Sequence, residues 1–525
     1  MSGIKNSVKR IWASRFIFLS FILMLVFSQF LLQYREDVWP KMYMLIALVA
    51  GVLVLLFANL KNPKAIARNT FVLIAFLGIA NSLIMPIRQN LDENTHYYYA
   101  LQIADGKARI QTDEMNYLMV SPDFLAITKL PSKPGYGSPE NTNLYTKEFL
   151  ELDSLPADYS YKAVSPGKFN NPAYLPSALG IKVGRLISDK LFVSYYMGRI
   201  FNLIFYALLA YLAVKRSQIY KKQLFLMATI PYALWIPAGY SYDSLYYGLI
   251  LLVFAQLTNF LDKNSKATIK QLILYELTCL LLIFCKAPVI VLAALPIFLP
   301  KETFDINKAR LKIFCMGGIV ALIGGTWLLQ ESILRLLGSI VDNPNVEIFS
   351  NPNVNRMGYF IAHPFYSLGV LIRSFFDMIA TTTLSVEVPQ PFFISAKALS
   401  SINLFIFTIL ILLVIMAFHE KVTPVFKISL SVIIVFIAVA VIYAISGDSR
   451  VFSIGDLYVA GVQGRYHYYI LVALPLLFAD KVRGALGSLG VMADTLNQEK
   501  LTTCLMTTML ILNFLNTAIA VFGYL

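Results

Sequence analysis

The stretch ISLSVIIVFIAVAVIYAI, residues 428–445, decides the fold class of this chain. It carries no charge, and an α-helix of this length is about 27 Å long, close to the roughly 30 Å hydrocarbon core of a bilayer. Inside lipid every backbone N–H and C=O must be paired within the protein, so such a run forms a helix. It lacks the strict alternation of apolar and polar residues that a membrane β-barrel strand needs. The run therefore predicts a membrane-spanning helix.

Comparable apolar runs recur along all 525 residues, of which 58% are hydrophobic and only 14% are charged. So few charges could not cover the surface of a soluble protein of this size. We therefore predict an all-α polytopic membrane protein, with a single integral membrane domain over 1–525 and about thirteen spans. The predicted spans are 16–33, 42–60, 70–86, 197–214, 223–238, 244–261, 269–284, 288–300, 312–329, 402–418, 427–446, 466–480 and 502–523.

The net charge of +14 indicates topology rather than a nucleic-acid partner, because most basic residues lie in short loops between predicted spans. With the N-terminus in the cytoplasm, the basic clusters 61–68, 215–222 and 301–312 all fall on the cytoplasmic side, as the positive-inside rule requires. Two long segments, 87–196 and 330–400, then face outward and are predicted to carry interfacial helices. Loops of this size are usually functional.

The sharpest candidate site is Asp92-Glu93-x-x-His96, directly after the third predicted span. Residues 91–106 predict a short amphipathic helix that ends at Gly106, with Asp92 and His96 four apart on one face. Two carboxylates in a first helical turn complement the helix dipole and stay ionised. Such a carboxylate can act as a general base, or can bind a divalent cation together with a histidine. A capped interfacial helix without chemistry is the alternative that the pattern leaves open.

A second candidate site is Gln463-Gly464-Arg465-Tyr466, just before the twelfth predicted span. An arginine at the membrane edge, beside a flexible glycine, can bind a phosphate through two parallel hydrogen bonds. Gln463 and Tyr466 are predicted to bind the same substrate. The alternative is an arginine whose side chain merely reaches up to the interface, within a belt of interfacial tyrosines.

Three further residues are predicted to contribute to substrate binding. Tyr174 lies in an extended turn that enters a helix with a small-residue face, which packing alone would also explain. Asp243 stands at the end of a predicted span, where an acid is costly unless it is used or paired, and where an N-cap is the alternative. His363 precedes a proline and opens a predicted interfacial helix. All three fall on the same predicted side of the membrane as Asp92 and Arg465.

Five short elements, taken in order, resemble a large family of bacterial membrane proteins of unknown function that is related to the GT-C glycosyltransferases. They run across roughly 75–480, most of the chain, and the Gln-Gly-Arg-Tyr element is the most specific of them. The elements are Asp92-Glu93-x-x-His96 with Gly106, Asn171-Pro172-x-Tyr174-Leu-Pro176-x-x-x-Gly180, Arg199-x-x-Asn202, Tyr242-Asp243 and Gly461-Val-Gln463-Gly464-Arg465-Tyr466.

This resemblance implies a GT-C-like bundle in the bacterial cytoplasmic membrane, with an extracytoplasmic active site. GT-C enzymes pass a sugar from a polyprenyl-phosphate carrier in the lipid to an acceptor such as a cell-envelope glycan, a teichoic acid or a lipid-linked oligosaccharide. Asp92 and Glu93 match the placement of the family's key acids, in the first large outer loop, if two spans have been added before the core.

The favoured hypothesis is an inverting glycosyltransferase. Asp92 would accept the proton of the acceptor hydroxyl, and Glu93 would orient the acceptor or hold a divalent cation (Mg or Mn) together with Asp92 and His96. His96 also counts among the predicted substrate-binding residues. Arg465 would stabilise the departing phosphate. No other cofactor is expected.

Two other functions stay open. A polysaccharide or lipid transporter would carry polar residues within its spans, lining a path through the bilayer. Here the main ionisable residues within predicted spans are Glu276 and Arg199. Most of the candidate polar residues lie instead at the predicted outer surface of the membrane. A non-catalytic partner in envelope assembly would need the outer segments but neither of the two adjacent acids.

Overall fold

The computed structural model describes residues 11–34, 41–110, 120–130, 148–155, 168–338, 356–377, 408–488 and 497–519. The predicted outward segments 87–196 and 330–400 fall only in part within these ranges. Within them the chain is mostly helical and forms no β-strand, only isolated bridges such as the one between Arg109 and Phe169. The all-α prediction is confirmed to this extent.

The described helices are numbered in chain order, and most are linked by short turns. They are α1 (Arg15–Tyr34), α2 (Lys41–Phe57), α3 (Ile66–Ile84), α4 (Glu93–Ala104), α5 (Pro122–Lys129), α6 (Leu175–Ile187), α7 (Leu191–Arg216), α8 (Lys221–Ala228), α9 (Pro231–Trp235), α10 (Asp243–Asn259), α11 (Ile269–Leu281), α12 (Ala309–Leu328), α13 (Gln330–Leu336), α14 (Arg356–Ala362), α15 (Pro364–Asp377), α16 (Pro424–Ile445), α17 (Tyr468–Ser488) and α18 (Gln498–Ile519).

Five helices in the described ranges are long and apolar enough to cross a membrane. They are α3 together with the turn before it (Pro63–Ile84), α7, α12, α16 and α18. Shorter apolar helices are Arg15–Phe30, Met42–Phe57 and Ala287–Phe298. Each of the five long helices is close to the length that a span needs, so the chain is a membrane protein with several apolar helices.

The structure does not confirm about thirteen spans. The predicted span 223–238 is divided into α8 and α9, because Pro231 begins a new helix. The predicted span 288–300 is a 3₁₀-helical segment, Ala287–Phe298. The predicted span 402–418 lies partly outside the described residues. Prolines therefore interrupt the regular α-helix in two of the apolar runs that hydropathy alone would count as spans.

Helix α7 packs against α3, α6 and α10. Glycines on α6 permit the closest of these approaches: a methyl group built on Gly180 would overlap the carbonyl oxygen of Met197, and one on Gly184 would overlap Ser194. The small-residue face predicted for the helix after Tyr174 therefore packs directly on the backbone of α7. Small residues serve the same purpose at helix contacts in membranes generally.

The first two helices and the last one form a layer of their own. Helices α1, α2 and α18 contact one another, and α18 also contacts α3. The rings of Phe21 and Phe514 stack with centroids 3.8 Å apart, beside Gly51. Asn513 joins this layer to the rest of the bundle by donating from Nδ2 to the carbonyl oxygen of Thr229 at 2.7 Å.

A smaller core joins α4, α5, α6 and the start of α7 in the first predicted outward segment. The rings of Tyr97 and Tyr240 contact each other with centroids 4.9 Å apart. Arg185 on α6 forms ion pairs with Asp105 at the end of α4 and with Asp123 on α5, and both carboxylates are buried. These contacts fix α4, and therefore the residues at its beginning, against the membrane helices.

Candidate functional site

Asp92 directly precedes α4 and adopts a left-handed backbone conformation, with φ 55° and ψ 23°. In this conformation its side chain makes no capping hydrogen bond to α4. Arg465 instead donates from Nη2 to Asp92 Oδ2 at 2.7 Å. The Asp92 side chain is 63% exposed, whereas that of Arg465 is 3% exposed. Left-handed residues other than glycine cost free energy and cluster at functional sites.

Arg465 lies in the 3₁₀ turn Gly464–His467 that leads into α17. Besides Asp92, its Nη2 reaches the hydroxyl of Tyr466 at 3.2 Å, and its Nη1 lies 3.6 Å from Oδ2 of Asp243. Its Nε and Nη1 are buried and have no hydrogen-bond partner among the residues that the structure describes. Since buried donors usually have partners, this guanidinium retains hydrogen-bonding capacity for a ligand.

A second cation, Lys286, shares Asp243 with Arg465. Lys286 Nζ lies 3.0 Å from Asp243 Oδ1, and Asp243, the first residue of α10, is 1% exposed. One buried carboxylate therefore joins two buried cations, which compensates charges that would otherwise be costly inside the protein. The ammonium group also lies over three tyrosine rings, those of Tyr242, Tyr246 and Tyr466.

His96 and Tyr174 meet beside these charges. His96 Nδ1 lies 2.8 Å from the hydroxyl oxygen of Tyr174, and the imidazole meets the ring of Tyr242 edge-on, with centroids 5.1 Å apart. Burial lowers the pKa of His96 to about 4, with Asp243 opposing the shift and Arg465 adding to it. At neutral pH the imidazole is therefore uncharged.

Glu93 lies in a closed ion pair. Arg199 on α7 donates from Nε and Nη2 to the two carboxylate oxygens, both at 2.8 Å, and the backbone N–H groups of Asn90 and Tyr240 donate as well. Both charged side chains are fully buried. The catalytic and metal-binding roles predicted for Glu93 do not fit this position, because no face of its carboxylate is open to a ligand. Arg199 also donates to three carbonyl oxygens at the end of α3, those of Ser82, Met85 and Pro86.

The predicted cation site of Asp92, Glu93 and His96 is not assembled. Arg199 engages the carboxylate of Glu93, and Tyr174 engages Nδ1 of His96. Across the described ranges, no group of three or more His, Cys, Asp or Glu side chains could hold a metal ion. The three side chains therefore do not fit a magnesium or manganese ion in this arrangement.

Gln463 and Tyr466 border the two cations. The ring of Tyr466 lies 5.1 Å from the guanidinium carbon of Arg465 and 4.3 Å from Nζ of Lys286. Gln463 immediately precedes the turn that carries Arg465, and its Oε1 is buried without a hydrogen-bond partner in the described part of the chain. Both residues thus lie where the sequence pattern placed them, next to the guanidinium.

His363 lies apart from this group. It is exposed between α14 and α15, and its ring stacks on Tyr359 with centroids 4.1 Å apart. Its Nδ1 is 3.0 Å from the carbonyl oxygen of Tyr359. The two helices pack onto a separate apolar cluster that includes Phe452 and Val459. A helix follows His363, as α15; its interfacial location stays a prediction, and the predicted role of His363 in substrate binding gains no support from its position.

Two residues of the site had no role in the sequence interpretation. Lys286 lies between the predicted spans 269–284 and 288–300, and a lone lysine between two apolar runs is itself a signal that it is paired or used. Arg199 was noted as a charge inside a span and as part of a motif, and its partner Glu93 is 106 positions away. Spacing could not reveal that pairing.

The arrangement combines a solvent-exposed carboxylate with two buried cations. Asp92, Asp243, Lys286 and Arg465 come from four separate places in the chain, each at or near the start of a helical segment. Such a group can bind an anion through Arg465 while Asp92 accepts a proton from a second molecule. The neutral imidazole of His96 can donate or accept one hydrogen bond beside them.

Comparison with known proteins identifies a family but no characterised relative. No curated protein and no solved structure matches this chain. The model of the family described as "Predicted membrane protein (DUF2142)" matches residues 73–474, which is most of the chain and includes the whole site from Asp92 to Arg465. The chain therefore belongs to this family of membrane proteins, whose function is unknown.

Proposed function

We propose that the protein is a glycosyltransferase with a GT-C-like bundle of membrane-spanning helices. It would move a sugar from a polyprenyl-phosphate carrier to a hydroxyl group of a cell-envelope glycan, a teichoic acid or a lipid-linked acceptor, at the outer face of the bacterial cytoplasmic membrane. The observation that carries this proposal is the 2.7 Å contact between buried Arg465 and exposed Asp92. A cation beside an open carboxylate suits a reaction that releases a phosphate and takes up a proton.

The proposed step is a single displacement. The acceptor hydroxyl oxygen forms a bond to the anomeric carbon of the sugar while the bond from that carbon to the phosphate oxygen breaks. The bonding electrons leave with the phosphate, whose growing negative charge Arg465 stabilises, and the hydroxyl proton passes to Asp92. The products are the glycoside and polyprenyl phosphate, and the anomeric configuration is inverted.

Donor binding would replace one anion by another on Arg465. Asp92 now accepts from one nitrogen, Nη2, whereas two phosphate oxygens can engage Nε and Nη2 together in a bidentate pair. The displaced carboxylate of Asp92 would then be free to accept a proton. Asp243, itself paired with Lys286, would remain beside the guanidinium when Asp92 leaves, because neither of its contacts involves Asp92.

The direct test uses purified protein, defined polyprenyl-phosphate sugars and an envelope-derived acceptor. We expect Asp92→Asn to lose transfer by roughly 10²- to 10⁴-fold, the usual contribution of a general base. Arg465→Lys should lose on the order of 100-fold, because it keeps the charge but not the two-pronged geometry. Asp305→Asn, an exposed acid in a different loop, is the matched control. Wild-type transfer by Asp92→Asn would show that the proposal is wrong.

A chelator arm of the same assay addresses the cation. Because Asp92, Glu93 and His96 do not fit a metal ion, transfer should keep its rate in EDTA. Loss of transfer in EDTA, with recovery on adding magnesium or manganese, would show that the proposed cation-free step is wrong, without removing Asp92 from the reaction.

A further inference from the structure

A second pocket lies beside the candidate site, between α4 and the end of α12. It is a cavity of about 220 Å³, smaller than the roughly 300 Å³ at which pockets for drug-sized ligands begin. Four aromatic rings form much of its wall, and polar side chains line part of the rest. Among the lining residues are Tyr99, Phe169, Tyr174, Trp327, Lys168 and Gln330.

Backbone contacts hold the wall of this cavity in place. The N–H of Ile110 donates to the carbonyl oxygen of Lys168 at 2.9 Å, and an isolated bridge pairs Arg109 with Phe169. The guanidinium of Arg109 lies over the ring of Phe169 at 4.7 Å. The backbone N–H of Phe169 donates to Oε1 of Gln330 at 3.1 Å. This bond orients the amide of Gln330, whose two Nε2 hydrogens have no partner among the residues that the structure describes.

The cavity shares two residues with the surroundings of Asp92. Tyr174 contributes its ring to the cavity wall and its hydroxyl to the 2.8 Å contact with His96. Tyr99 stacks on Tyr174 with ring centroids 5.5 Å apart, and it lies three residues after His96, on the same face of α4. An occupant of the cavity would therefore lie along the helix face that begins beside Asp92.

The wall selects for a molecule with both apolar faces and hydroxyl groups. Aromatic rings present a negative face that attracts C–H groups, while the Gln330 amide offers hydrogen-bond donors. A purely apolar ligand would leave that amide unpaired, which is costly. The C–H faces and hydroxyls of a sugar ring satisfy both requirements, and the volume admits one ring rather than a chain.

We propose that this cavity binds one sugar ring of the acceptor glycan, an inference that rests on the proposed glycosyl transfer. The acceptor is favoured over the donor because five of the six wall residues named above belong to the predicted outward segments. A water-soluble glycan would approach from that side, whereas the donor sugar would arrive from the lipid on its carrier.

Saturation-transfer NMR on the purified full-length protein tests this binding. The probes are the methyl glycosides of glucose, galactose, mannose and N-acetylglucosamine. At least one should bind, and Phe169→Ala and Gln330→Ala should each weaken its binding roughly fivefold, as expected for the loss of one stacking or hydrogen-bonding contact. Phe365→Ala, which removes a 90% exposed ring on α15, should bind like the wild type.

Two further arms separate this inference from the proposed function. Asp92→Asn should bind the glycoside like the wild type while its sugar transfer falls by the roughly 10²- to 10⁴-fold expected for loss of a general base. Wild-type transfer by this variant would remove the proposed function and leave the cavity's binding to be judged by NMR alone. The inference is overturned if no glycoside binds, if both wall variants bind like the wild type, or if excess polyprenyl-phosphate sugar displaces the glycoside, since the last result would assign the cavity to the donor.

Discussion

Asp92 and Glu93 are adjacent carboxylates with opposite environments. The left-handed φ of Asp92 turns its side chain away from α4 and toward Arg465, where it remains exposed. Glu93 begins the helix and points into the bundle, where Arg199 binds both of its oxygens. One exposed acid and one buried acid therefore occupy neighbouring positions, and only the exposed one can meet a substrate.

The two acids should differ in what they do for stability. Glu93→Ala leaves the Arg199 guanidinium buried without its carboxylate, which typically costs about 3–5 kcal/mol. Asp92→Asn keeps an acceptor for Arg465 and leaves Asp243 beside the guanidinium, and the Asp92 side chain is itself 63% exposed, so this change should cost less than Glu93→Ala. Thermal unfolding in detergent would measure both. Equal losses of stability would contradict the division of roles.

His96 should make the protein sensitive to acid. Its pKa is about 4 in the folded protein and about 6.5 when unfolded, so between these values the unfolded chain binds the extra proton. Stability from this group is complete above about pH 6.5 and is lost as the pH falls to about 4, in total roughly 3 kcal/mol. The unfolding temperature should therefore fall less between pH 7 and 4.5 in His96→Gln than in the wild type.

The exposed His363 provides the comparison for that measurement. His363→Gln should follow the wild-type pH dependence, because this side chain is exposed and lies apart from the buried charges around His96. A His96→Gln profile parallel to the wild type would rule out burial of a neutral imidazole.

The sequence predicts several of the individual residues of the site, but it does not predict which of them contact one another. Polar residues at the ends of apolar runs drew attention to Asp92, Asp243 and Arg465, and the fold brings these three together. The burial of Glu93 by Arg199 was not foreseeable, because local spacing carries no information about a contact between distant segments. The chemical roles of all these residues stay predictions.

At the scale of helices, the predicted boundaries agree with the observed ones where a glycine or proline marks the end of a helix. The helix predicted over 91–106 spans Glu93–Ala104, and Gly106 follows with φ 78°. The span predicted over 427–446 is α16. The prediction of one helix over 223–238 was wrong, because a new helix begins at Pro231. Hydropathy measures only how apolar a segment is and does not detect such an interruption.

The glycines of α6 should be intolerant of a side chain. A methyl group at Gly180 would overlap the backbone of α7, so Gly180→Ala should destabilise the protein by about 1–3 kcal/mol. Gly317 in α12 has open space around it, so Gly317→Ala should be neutral or gain about 0.5–1 kcal/mol from helix propensity. Unfolding temperatures of the two variants in one detergent make the comparison. Equal effects would mean that the close approach of α6 to α7 is not required.

At the scale of the whole molecule, the helices outside the family match form a separate layer. The match covers 73–474, and α1, α2 and α18 lie outside it. Helix α18 packs on both α1 and α2 although it is distant from them in sequence, as the contact of Phe21 with Phe514 illustrates. The contacts that build the candidate site come from residues inside the match.

The orientation predicted from basic loops can be tested by labelling in cells. In a cysteine-free background, a thiol at Glu151→Cys should react with an impermeant reagent in intact cells, because this position lies in the first predicted outward segment. Lys263→Cys lies in a predicted cytoplasmic loop and should react only after permeabilisation. Both positions are exposed. The reverse pattern would turn the candidate site toward the cytoplasm and exclude an outer-leaflet donor.

The backbone of Asp92 has a practical consequence for anyone dissecting this protein by mutagenesis. Asparagine tolerates a φ near 55° almost as readily as aspartate does, whereas alanine does not. An alanine scan would therefore deform the loop at the same moment that it deletes the carboxylate, and the resulting loss could not be attributed to either cause. Asparagine changes only the charge, and glycine at the same position deletes the side chain without straining the left-handed backbone.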